Sequence, residues 1–455
     1  MGRHFICNYN KNILYSLFIM KKRSYLKTKN VNNEFLISQM AKIYNFPTYS
    51  ATNAIIAIPS FGGGLYGKIE NNVMTNGDAQ QYWSLQGIAP ENMSTVYIVY
   101  PNGASNDLSD QSATLENTLD VSVVGSCCQC TIILFIFTNT TSFTESFQTM
   151  FDGINVNGAQ LIPTIISYSW GMPETYADVN DIIETNLLLQ NKNINVCVAT
   201  GDNGSSDGTT SLNVDFPSSS PYVTGVGGTS LICPNNVYDA QTVETVWNDG
   251  TTATGGGISK IFAKPNYQNY ISGTKRNSPD IAFNSDPGTG IQLYFNGKLA
   301  YGIGGTSLAA PFFAGFIALS GIKTFINPLL YSNTCYHDIK LGSNAINIPG
   351  QYSATLGYDN CSGIGSMDCS KFVLNPYILL PFHLNIKVGQ IVNIPIKTNL
   401  NVSWELSNKN ILISGNRIKG NYVGTTVIRA RANNLFATMN IHITNPVSFK
   451  MIFTK

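Results

Sequence analysis

Thr131-Ile132-Ile133-Leu134-Phe135-Ile136-Phe137 is an unbroken apolar run dominated by β-branched and aromatic residues. Such a run suits a strand buried on both faces rather than one with a solvent-facing side. Similar runs recur at residues 54–58, 95–100, 162–168 and 195–199, the first of them meeting Gly62-Gly63-Gly64. Helix-like patterns cover residues 112–124, 144–154 and 178–189. Continuous apolar strands alternating with helices predict an α/β domain, a parallel sheet flanked by helices on both faces. In sheets of this kind chemistry gathers at the carboxyl ends of the strands.

Further along, Gly304-Gly305-Thr306-Ser307-Leu308-Ala309-Ala310-Pro311 leads into Phe312-Phe313-Ala314-Gly315-Phe316-Ile317. Two glycines turn the backbone tightly ahead of Ser307, and the small and apolar residues after it read as a buried helix. A serine at such a start lies beside backbone N–H groups that lack intrahelical partners, which suits a nucleophile. Its proton needs a base. The four histidines are His4, His337, His383 and His442, so none lies between Ala54 and Ser307. A Ser-His-Asp arrangement of the subtilase kind would need one there, and a carboxylate is the substitute. Glu116 and Asp120 stand four apart on the helical pattern and project from one face. Two carboxyls this close cannot both ionise freely, so one holds a proton and can bridge to the other.

Glu116 and Asp120, then Gly201-Asp202-Asn203-Gly204, then Gly305-Thr306-Ser307 resemble the serine-carboxyl peptidases of the sedolisin family. Ser169-Trp170-Gly171-Met172-Pro173-Glu174, the segment Phe216-Pro217-Ser218-Ser219-Ser220-Pro221-Tyr222 and Pro279-Asp280-Ile281-Ala282 match in the same order. The resemblance spans residues 36–378 and implies a subtilisin-like parallel sheet, in agreement with the strand pattern. It implies Ser307 as nucleophile, Glu116 as general base and acid, and Asp120 as the group that holds Glu116. Asp202 would be protonated and line the oxyanion hole, since an ionised carboxylate would repel an oxyanion. Ser169, Trp170 and Gly171 would form an edge that pairs with extended substrate, and Asp280 would be a structural acid. A peptide or protein substrate and an acid optimum follow from the same resemblance. A catalytically silent member kept as a binding module is the alternative.

The resemblance also implies one calcium ion held by Asp338 and Asp359 with the carbonyls of Ile339, Thr355 and Gly357. Hard oxygen donors on a glycine-containing loop suit Ca2+ rather than zinc. His337 beside them would pack rather than ligate. Family members carry a long prosegment, whereas about 35 residues precede the catalytic region here. Ser60 stands where some relatives have a supporting glutamate, so Glu116 would lean on Asp120 and Trp170.

The organisation expected is an N-terminal extension over residues 1–35, a peptidase domain over 36–378 and a small all-β sandwich over 379–455. The last resembles bacterial immunoglobulin-like modules, with short alternating strands near 383–388, 391–397, 402–406, 425–430 and 437–443. With 27 Lys and Arg against 26 Asp and Glu, charge offers no argument for nucleic acid. The apolar run at 13–20 is too short to span a bilayer and is followed by Lys21-Lys22-Arg23, with no small-residue cleavage site. The compartment stays open, although the family suggests a secreted or acidic one, and a monomer is expected. Nine cysteines leave the redox state open, with a bridge conceivable among Cys335, Cys361 and Cys369, and Cys127-Cys128-Gln129-Cys130 lacks the second pair that a zinc site would need.

Overall fold

The computed structural model describes residues 34–346, 352–374, 378–381, 383–398, 400–432 and 435–446. Most of the N-terminal extension therefore lies outside the described residues; Phe35, at its end, is buried and bonds through its N–H to the Gly290 carbonyl.

Seven strands form the parallel part of a ten-stranded sheet. They are β1 (Ala51–Ser60), β2 (Thr95–Val99), β3 (Gln129–Ile136), β4 (Ile165–Tyr168), β5 (Asn195–Ala199), β6 (Thr224–Ile232) and β7 (Ile281–Asn284). From one side the order runs β6, β5, β4, β1, β3, β2, with β7 also paired to β6, and antiparallel strands finish the path at both ends. The alternation within β3 shows how the sheet is covered. Ile132, Leu134 and Ile136 join the core on one face, and Ile133 and Phe135 join the core on the other.

Helices α1 (Gln111–Cys127) and α4 (Thr306–Leu319) share the first core, while α2 (Phe143–Asp152) and α3 (Val179–Gln190) cover the opposite face. Helix α1 is buried from Ala113 to its end and α4 from Thr306 to Ala318. Two helices buried on every side approach most closely where a facing residue is small. A Cβ on Gly315 would lie 2.4 Å from Cys127 Cβ, so glycine sets the closest approach of α4 to α1.

The expected strand at 162–168 starts only at Ile165. Pro163 interrupts it, Ile162 is exposed, and the residues before it pair as a separate hairpin, Ile154–Val156 with Ala159–Leu161. The bridge conceivable among Cys335, Cys361 and Cys369 is not formed: all three are buried free thiols. Cys127, Cys128 and Cys130 are likewise buried free thiols at the junction of α1 and β3.

Residues after Leu380 pack about their own core of Ile386, Ile394, Ile411, Ile428 and Ile441. One sheet holds His383–Lys387, Leu435–Thr444, Gly424–Ala432 and Ser403–Leu406, and the other holds Ile391–Asn393, Arg417–Gly420 and Ile411–Ser414. Two sheets enclosing one apolar core make a small sandwich. No helix among the described residues is long and apolar enough to cross a membrane.

Candidate active site

Both buried helices begin at the carboxyl edge of the sheet. The loop after β1 receives α1: Gly64 N–H donates to Thr114 Oγ1 at 3.0 Å and Asn117 Nδ2 donates to the Gly64 carbonyl at 3.0 Å. Asp110 caps the helix, its Oδ1 accepting from Ala113 N at 3.1 Å. The loop after β5 receives α4, where Gly201 N–H donates to Thr306 Oγ1 at 3.1 Å. The two helices thus run in the same direction. Taking 1.5 Å per residue, Glu116 lies about 16 Å and Ser307 about 12 Å before the Gly315–Cys127 crossing, towards the same end.

Asp202 is tied to the start of α4. Its Oδ1 accepts from Thr306 N at 2.9 Å and from Thr306 Oγ1 at 2.8 Å, closing the first turn as a capping side chain does. Its Oδ2 faces Gly305, where a Cβ would stand only 2.9 Å away. Gly305 has φ of +107°, so both its conformation and the neighbouring carboxyl require glycine. Ser307 follows on the next turn position, 5% exposed.

On α1, Glu116 is 8% exposed and Asp120 fully buried. Ser169 donates its hydroxyl to Asp120 Oδ1 at 2.7 Å. The side chain of Ser169, expected at a substrate edge, is therefore turned inward as a support of the acid pair. Trp170 and Glu116 line one cleft of about 580 Å³. Phe61 meets the Trp170 ring edge-on with centroids 5.7 Å apart. Gly171 follows, leading into Met172–Pro173, which pairs with Asp215–Phe216. Ser60 is buried and donates to the Gly62 carbonyl at 2.8 Å, shaping the loop beside α1.

Thr306 was not singled out by its sequence, yet it anchors Asp202 twice and Gly201 once. Its position directly before Ser307 was the one available signal. Asp280 accepts from Gly225 N, from the buried Arg276 guanidinium and from Tyr331 Oη, so it is built into the core.

Asp338 and Asp359 flank one loop. Asp338 Oδ1 accepts from Gly357 N at 3.1 Å and Asp359 Oδ2 from Thr355 N at 3.1 Å. Burial pushes the Asp359 carboxyl up, opposed by N–H groups of Ser362, Thr355 and Cys361. His337 stacks on Tyr238, with ring centroids 3.5 Å apart. Among the described residues no three His, Cys, Asp or Glu side chains converge.

Residues 158–323 match the subtilase family model, a span that includes Ser307 but stops short of the helix bearing Glu116 and Asp120. Kumamolisin of Bacillus sp. (strain MN-32) is 34% identical over 354 residues, covering 72% of this chain and 61% of the relative. Sedolisin of Pseudomonas sp. (strain 101) is 32% identical over 366 residues, covering 72% of this chain and 58% of the relative. The chain thus spans about three fifths of the length of these relatives. The solved structure of Pseudomonas sedolisin, a serine-carboxyl proteinase complexed with two molecules of pseudo-iodotyrostatin, superposes with a TM-score of 0.62 at 28% identity. That match covers 75% of this chain and 97% of the sedolisin chain. With carboxylates in place of a histidine on α1 and these relatives aligned along most of its length, the chain belongs to the sedolisin family.

Proposed function

We propose that the chain is a serine-carboxyl peptidase that hydrolyses peptide bonds through Ser307, Glu116, Asp120 and Asp202. Ser307 Oγ attacks the peptide carbonyl while its proton passes to the Glu116 carboxylate. The oxyanion takes a hydrogen bond from a proton on Asp202 Oδ2, the oxygen left over once Thr306 occupies Oδ1. Glu116 then gives its proton to the leaving amine. Water repeats the sequence on the acyl-enzyme, with Glu116 again taking and returning a proton. Asp120, steadied by Ser169, holds Glu116 in place. The observation that carries this reading is the common origin of α1 and α4 at one sheet edge, with acids and no histidine on α1.

The donor set at Asp338, Asp359 and the carbonyls of Ile339, Thr355 and Gly357 fits calcium. Asp359 is a buried carboxyl with no cationic partner within its hydrogen-bond set, the situation a hard cation resolves. When bound, the ion would tie the Asp338 and Asp359 loops together and take no part in the chemical step.

The test is a pH-rate profile on a peptide library, with and without a calcium chelator. Activity should peak well below neutrality, because Asp202 must hold a proton while Glu116 accepts one. Chelation should lower the melting temperature, since an ion bound to the native state alone stabilises it by mass action. A rate maximum near pH 8 would overturn the mechanism, and an unchanged melting temperature would overturn the calcium site. Product lengths distinguish internal cleavage from release of tripeptides.

A further inference from the structure

The cleft beside Glu116 has a charge of one sign. Of its lining side chains, Asp107, Asp110 and Glu116 are acidic, and among the described residues no Lys, Arg or His joins them. Its walls are aromatic: Phe61, Phe137 and Trp170 line it, with Phe61 and Phe137 centroids 5.8 Å apart. An aromatic face attracts a cation through its quadrupole independently of any carboxylate. At about 580 Å³ the cleft has the size of a ligand pocket, and the proposed general base forms part of it.

We propose that this cleft is a specificity subsite that takes a basic side chain, arginine or lysine, of the peptide substrate. The inference rests on the peptidase reading above and deepens it. The aliphatic stem of such a side chain would lie along the rings while its head meets Asp107 and Asp110. The two acids differ in how they are held. Asp107 is exposed, with Oδ1 accepting from Ser109 N at 3.0 Å and Ser109 Oγ at 2.6 Å. Those hydrogen bonds hold its carboxyl below the usual carboxylate range. Asp110 Oδ1 is committed to capping α1, and its Oδ2 turns towards the Gly62 loop, 3.2 Å from where a Cβ on that glycine would stand. Arginine and lysine keep their charge throughout the acid and neutral pH range, so a carboxylate of this cleft attracts them wherever it is itself ionised.

The experiment uses the full chain and quenched-fluorescent peptides that differ only by Arg, Leu or Glu at each position around the cleaved bond. Arginine should exceed leucine about tenfold in kcat/KM at one position. The ratio should fall towards one in the Asp107→Asn, Asp110→Asn double variant, in which asparagine retains the local hydrogen-bond acceptors. For the unaltered enzyme it should shrink as salt rises from about 20 mM to about 0.5 M, because exposed charges are screened. This second arm stands even where the double variant fails to fold. Cleavage with no arginine preference at any position overturns the subsite. So does a requirement for a free amino terminus regardless of side chain. If no peptide is cleaved, the peptidase reading falls and the subsite with it, an outcome distinct from cleavage without discrimination.

Discussion

Asp202 illustrates how one carboxyl can be divided between two tasks. Thr306 uses Oδ1 twice, which holds the group rigidly and leaves Oδ2 at the open side of Gly305. Asparagine can reproduce this arrangement, with its carbonyl facing Thr306 and its NH2 in place of the protonated oxygen. An amide donates at every pH, whereas a carboxyl donates only while protonated. Asp202→Asn should therefore keep substantial activity and extend the profile upward in pH. Asp202→Ala should lose about 10²- to 10³-fold in kcat. Identical pH profiles for the Asn variant and the unaltered enzyme would sink this role. The motif residues Ser307, Glu116, Asp120 and Asp202 were legible because each sits in a short pattern with its own chemistry. Thr306 and the inward turn of Ser169 were not, because their partners lie far away in the chain and only folding brings them together.

At the scale of elements, the site depends on two helices meeting closely enough to align their first turns. Gly315 makes that possible against Cys127. In Gly315→Ala the new methyl would stand 2.4 Å from Cys127 Cβ, so α4 must shift or tilt. Overpacking of this kind costs about 1–3 kcal/mol, readable as a lower urea midpoint. Because the shift moves Ser307 relative to Glu116, kcat should fall more than KM changes; a stable variant with unchanged kcat would show that the crossing does not set the alignment. Five of the seven parallel strands and α1, α2 and α3 were legible because buried strands and long helices carry strong periodicity. The strands Thr224–Ile232 and Ile281–Asn284 were not anticipated, the first because glycines break its apolar run and the second because it is only four residues long. The helix Ile37–Ile43 and the strands Ile411–Ser414 and Arg417–Gly420 were not anticipated. Each is only a turn or two long, or a few residues wide, and its stability comes from the neighbours it packs on rather than from its own pattern.

Across the whole molecule, the sandwich meets the sheet domain through an unusual residue. Lys397, on the short strand Lys397–Thr398, is buried, and its Nζ lies 4.0 Å from the Phe325 ring centroid and 5.0 Å from that of Tyr222. Its Nζ makes no hydrogen bond among the described residues. Burial lowers its pKa from 10.5 to about 7. Between those two values the unfolded chain holds a proton that the folded one lacks, so stability rises with pH across that window. Below about pH 7 both states are protonated and the full penalty applies, which is where an acid peptidase would work. At 1.36 kcal/mol per unit the shift corresponds to roughly 5 kcal/mol. The attraction of the two rings for the ammonium, about 0.5–2 kcal/mol each, opposes this penalty and leaves roughly 1–4 kcal/mol. Lys397→Met keeps the length and removes the charge. It should therefore raise the melting temperature at pH 5 and give a smaller gain at pH 9, where part of the cost of keeping the lysine neutral has already been removed. Equal gains at both pH values would mean that packing rather than charge decides. A loss at pH 5 would mean that the aromatic contacts outweigh desolvation, making Lys397 a net anchor between the two parts of the molecule in acid.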